Sequence, residues 1–136
     1  MLIYLILFLI LFNIKNMHQL QDFKTEFLII KIKNFLFSLN LNEKYVSFDY
    51  LTMVLAYLIK NNSTKNLVYH QSIKDLSKTY SLSTRTIVQG LHKIVSMCNQ
   101  NLLINFSEVN LNNCKTKDKI ILLKNLAEDF LIKELK

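Results

Sequence analysis

The sequence predicts an all-α protein, a multi-helix bundle of about six helices that contains a helix-turn-helix. Three observations carry that expectation. Proline is absent and Gly90 is the single glycine in 136 residues, which removes the residues on which tight hairpin turns depend. Apolar residues recur at helical spacing through most of the chain, the pattern of helices with one buried face. Two such segments, 68–80 and 84–97, are separated only by Ser81, Leu82 and Ser83.

Residues 1–12 are apolar throughout, and the first polar side chains to follow are Asn13 and Lys15. A bilayer span needs about 20 apolar residues, and neither a charged n-region nor a small-residue cleavage site marks a signal peptide. The run therefore reads as a helix that packs in the core or against a partner. Membrane contact through 1–14 is the lesser alternative, and a mis-set start codon or truncated gene a third. From His18 to Leu39, the residues Leu20, Phe23, Phe27, Ile30, Phe35 and Leu39 recur at helical intervals, predicting one helix or two in line with the phenylalanines in the core. Polar residues 40–44 break the pattern. Ser47 is placed to cap a helix that carries Phe48, Leu51, Leu55, Leu58 and Ile59 on one side and ends near Asn61. Residues 61–66 form a polar loop. After the paired segments, 99–113 is Asn-rich and weakly periodic, and a final helix over 116–135 places Ile120, Leu123, Ala127, Phe130 and Leu131 on one face.

The chain carries 17 Lys and Arg against 10 Asp and Glu, a net charge of +7, which favours a polyanionic partner. Between residues 65 and 98, Lys65, Lys74, Lys78, Arg85 and Lys93 are opposed by Asp75 alone, so more than half of the excess lies in a quarter of the chain. Cys98 and Cys114 have neither a CxxC partner nor a histidine at metal-ligand spacing and read as free thiols of a reducing cytoplasm. The sequence offers no Gly-rich phosphate loop, paired carboxylates or nucleophile–base pair. Neither an enzyme nor a bound cofactor or metal is expected.

In a helix-turn-helix the first helix ends on an apolar and a small residue, because the second helix crosses close to it. The turn supplies a small residue, an apolar plug and an N-cap. Leu76-Ser77, then Ser81-Leu82-Ser83, then Ile87 and Leu91 meet those requirements in order. Leu76, Leu82, Ile87, Leu91 and Ile94 are the expected inner core, and Ser83 the cap. Turning 100° per residue from Ile87 keeps Leu91, Ile94 and Cys98 within about 40° of one line, and puts Arg85, Thr86, Gln89, His92, Lys93 and Ser96 roughly 100° or more away. Together with Ser83 and Thr84 at the helix start, these are the candidate DNA contacts, able to reach phosphates or the base edges of a major groove. The competing reading is an ordinary solvated helix face. His18 and His70 lack such a setting and read as ordinary surface or core residues.

Three segments share a further pattern: Ser47-Phe48-Asp49-Tyr50-Leu51 with Val54-Leu55, Leu76-Ser77-Lys78-Thr79-Tyr80, and Arg85 through Val95. In their spacing and apolar positions, residues from about Ile29 to Cys98 resemble the C-terminal effector domain of the sporulation initiation regulator, stage zero sporulation protein A. The resemblance implies a sequence-specific DNA-binding transcriptional regulator acting in the cytoplasm. Its effector domain would occupy 29–136, behind an apolar segment and helical lead-in over 1–28, and would bind double-stranded DNA as a homodimer. About 28 residues are too few for the receiver domain that precedes this effector in the family, so control by phosphorylation of its own receiver is not expected. Thr86, Gln89 and His92 stand where the family has arginines, Val88 where it has glutamate, and Cys98 where it has tryptophan. A different sequence preference follows. Two other readings stay open. One is a helix-turn-helix of another regulator family, with Leu102-Leu103-Ile104 and Val109 forming a short β-wing. The other is a helical interaction protein, derived from such a domain, that no longer binds DNA.

Overall fold

A computed structural model of the chain describes residues 2–105 and 115–135, and for 8–24, 99–105 and 134–135 it describes the helical backbone alone. The protein is an all-α bundle, as the apolar periodicity predicts. Five helices are described: α1 (Leu2–Ser38), α2 (Val46–Lys60), α3 (Asn66–Tyr80), α4 (Thr84–Asn105) and α5 (Thr116–Leu135). No strand occurs among the described residues. Leu102, Leu103 and Ile104 continue α4 rather than forming a wing, while Val109 lies outside the described residues.

The core is built around α2, which packs against each of the other four helices. Phe48, Leu51, Val54, Leu55 and Leu58 are fully buried, joined by Ser47, Tyr50, Thr52 and Ala56 on the flanks of the same helix. A buried hydroxyl is stabilised where it finds an acceptor. The Thr52 hydroxyl accordingly donates to the Phe48 carbonyl at 2.8 Å. The cap of α2 is Tyr45, with extended backbone and no side-chain bond, and not Ser47. The helix starts two residues earlier than its serine suggests, and Ser47 is buried inside it.

α1 is one continuous helix and not two in line. It meets the core through Ile32, Phe35, Leu36 and Leu39, a stripe at helical spacing. Phe27 and Ile30 point away from that stripe and are exposed, so they are not the core residues their spacing predicts. Phe35 packs on Phe130 of α5 with ring centroids 5.6 Å apart, and Phe37 stacks on Phe48 of α2 at 5.3 Å. The apolar residues Leu2 to Leu7 lie off the bundle, 50–79% exposed. They are therefore not a buried part of this chain's core. No helix among the described residues is long and apolar enough to cross a membrane.

Candidate nucleic-acid interface

The joint between α3 and α4 is built by three serines. Ser81 ends α3 in the left-handed region, at φ 53° and ψ 41°. In that conformation the Leu82 N–H reaches back to the Ser77 carbonyl at 3.1 Å, and the Ser81 N–H to the Lys78 carbonyl at 3.4 Å. The chain reverses while satisfying carbonyls that a helix end otherwise leaves open. Ser77 adds a second tie, its hydroxyl donating to the Leu82 carbonyl. Ser83 then caps α4: its hydroxyl oxygen accepts the Thr86 N–H at 3.2 Å and lies 2.9 Å from the Thr86 hydroxyl. The cap expected at Ser83 is present.

Below the joint, Leu76, Ile87, Leu91, Ile94, Val95 and Cys98 are buried. Leu82 is the exception to the expected inner core, being 38% exposed, because its backbone closes the turn while its side chain sits at the rim. The close approach of α2 to α4 falls at Gly90. A Cβ built there would stand 3.0 Å from two carbons of the Tyr50 ring. The same ring meets Tyr80, the last residue of α3, edge-on at 5.1 Å. Tyr50 thus holds the end of α3 and the middle of α4 together. Burial, with lesser contributions from Asp49 and Tyr50, pushes the Tyr80 phenol above its ordinary range.

The opposite side of α4 is polar and solvated. Ser83, Thr84, Arg85, Thr86, Gln89, His92, Lys93 and Ser96 are all exposed, and the sequence from Leu76 to Ser107 contains no acidic residue. The eight side chains are not equally available. Ser83 and Thr86 are engaged with each other in the cap. The Ser96 hydroxyl donates to the His92 carbonyl at 2.8 Å, the His92 Nδ1 lies 2.8 Å from the Thr116 hydroxyl at the start of α5, and the Lys93 ammonium sits 5.7 Å from the centroid of the Tyr45 ring. Among the described residues, the side chains of Thr84, Arg85 and Gln89 make no such contact and are free to meet a ligand. They project from the first two turns of α4.

Beside that end of α4 opens a groove of about 670 Å³. Its walls are α3 (Leu67, Tyr69, His70, Ile73, Lys74), the start of α4 (Thr84, Val88) and the start of α5 (Lys115, Thr116, Lys117). The charge count over residues 65–98 includes Lys74 but misses Lys115 and Lys117, which the fold alone brings next to Thr84. His70, an ordinary residue by its sequence setting, also lines this groove.

Cys98 is buried and free. Burial pushes its thiol up to about 12, which suppresses the thiolate that nucleophilic or metal-binding chemistry requires. Cys114 lies outside the described residues. No group of His, Cys, Asp and Glu among the described residues could hold a metal ion. Comparison with protein-family models, with curated proteins and with solved structures finds no match to this chain.

Proposed function

We propose that this chain is a sequence-specific DNA-binding transcriptional regulator in which α3, the turn at Ser81–Ser83 and α4 act as a helix-turn-helix, with α4 as the recognition helix. One observation carries the reading. A cap and a left-handed turn fix α4 three residues beyond α3, and the acid-free face at its start presents Arg85 and Gln89 without other partners among the described residues. A recognition helix enters the major groove by its N-terminal turns. Arg there suits guanine and Gln suits adenine, while Lys93, two turns on and held over Tyr45, suits the phosphate backbone. The resemblance of residues 29–98 to the sporulation-regulator effector domain supports the same reading, and with it binding as a homodimer in the cytoplasm.

The test is a titration of labelled duplexes across a salt series. Binding should weaken steeply as salt rises, from a non-specific dissociation constant of about 10⁻⁴ to 10⁻⁶ M at physiological salt. Gln89→Ala should relax preference at particular base pairs at a cost of about 1–3 kcal/mol, whereas Lys93→Ala should weaken all duplexes alike and reduce the salt slope by about one. No shift at 50 mM salt with tens of micromolar folded protein would sink the proposal. It would promote the second reading, a helical interaction protein, which the engagement of His92 by Thr116 and of Ser96 by its own helix favours.

A further inference from the structure

We infer that the groove beside the start of α4 is a clamp for the DNA backbone, with Lys115 and Lys117 at the start of α5 and Lys74 of α3 as its phosphate-binding residues. The inference rests on the DNA-binding reading and extends the interface to an element outside the paired helices.

Three lysines from segments far apart in the sequence, α3 and the start of α5, line one groove, with His70 beside them. None of the ten residues lining it is acidic, and no ion pair among the described residues engages any of the three lysines. Such an arrangement gathers positive charge along one groove, where a polyanion can meet it. Thr84 opens α4 and lines the same groove, so the lysines flank the end of the helix that would enter the major groove. The strand bordering a major groove runs past the end of an inserted helix, and side chains there meet phosphates rather than bases. The His92–Thr116 contact, at 2.8 Å, ties the start of α5 to α4. The start of α5 therefore presents Lys115 and Lys117 in fixed register with Arg85 and Gln89. A DNA backbone fits this groove because the groove borders the start of α4, and a duplex that received that helix in its major groove would carry phosphates past it.

The experiment measures duplex affinity against salt for the full chain, for Lys115→Gln/Lys117→Gln, and for Lys33→Gln/Lys133→Gln. The last pair removes the same charge away from the groove, Lys133 lying beside Phe35 and Phe130 toward the other end of α5 and Lys33 belonging to α1. Losing two phosphate contacts should make the plot of log affinity against log salt shallower by about 1.8, with base preference unchanged and the control pair close to wild type. Lys115→Arg/Lys117→Arg should restore the slope, which separates lost charge from lost folding. If the groove pair behaved like the control pair while Arg85→Ala still weakened binding, the clamp would be overturned and the recognition helix kept. If the full chain bound no duplex at any salt, both would fall.

Discussion

Gly90 marks a close contact between α2 and α4, and its missing side chain is what the contact uses. An added methyl group would stand 3.0 Å from the Tyr50 ring, closer than ordinary van der Waals contact, while the Ser47 Cβ at 3.5 Å would accept it. Two effects then oppose each other in Gly90→Ala. Alanine in a helix interior is favoured over glycine by about 1 kcal/mol, whereas overpacking a well-filled core costs about 1–3 kcal/mol. The Tyr50 ring has little room to yield, because Tyr80 packs on its edge. A net loss of about 1 kcal/mol is expected, since the packing cost exceeds the helical gain. The check is a double-mutant cycle by denaturant unfolding. In a Tyr50→Ala background the same Gly90→Ala change should become stabilising by about 1 kcal/mol, and persistence of the loss there would show that the contact is not its cause. A glycine inside an apolar period looks in the sequence like a weak point in a helix. That it admits a neighbouring ring becomes visible only once α2 is in place.

At the scale of the element, Ser83 separates folding from binding. Its hydroxyl caps α4 through the Thr86 N–H, and loss of such a cap costs about 1 kcal/mol. Ser83→Ala should therefore lower stability by that amount. Ser83→Asp should recover it, because aspartate caps as well as serine and its charge suits the positive end of the helix. The same carboxylate would stand at the start of the face proposed to meet phosphates, so the aspartate variant should bind duplex DNA more weakly than the alanine variant although it is the more stable of the two. Thermal unfolding and a duplex titration on the three proteins check both halves. Equal DNA affinity in all three would place the start of α4 away from the nucleic acid. The joint was legible in the sequence because its chemistry is local: Ser81, Ser83, Ile87 and Leu91 act through residues within a turn or two. Leu82 was misplaced for a related reason, since its apolar character predicts a plug while the turn leaves its side chain at the rim. The lysines of the groove were not legible, because Lys115 and Lys74 come to line one groove only through the way α3 and α5 each pack on α4.

Taken whole, the molecule divides its longest helix between two environments. At 1.5 Å per residue α1 extends for about 55 Å, longer than the bundle needs, and its described contacts begin with the partly buried Leu28 and Ile29 and continue through Ile32, Phe35, Leu36 and Leu39. Ahead of this packing, Thr25 is tied to α2, accepting from the Lys60 ammonium at 3.3 Å. Leu2 to Leu7 lie on the far side of that point and are largely exposed, so their burial contributes little to the folded state. Helical periodicity could not reveal this, because an unbroken apolar run has no face and reads equally as core, partner contact or lipid contact. Removing residues 1–16 should therefore leave the unfolding transition cooperative and its midpoint nearly unchanged. Solubility should rise, because a contiguous exposed apolar segment promotes self-association. Circular dichroism melts and light scattering on the full and shortened chains measure the two effects. A shortened chain that keeps its helicity but melts without a sharp transition would mean that the segment completes the core. A shortened chain with an unchanged melt and unchanged duplex affinity would show that the chain from Met17 onward folds and binds without it, and would confine any role of the apolar run to contacts outside this domain.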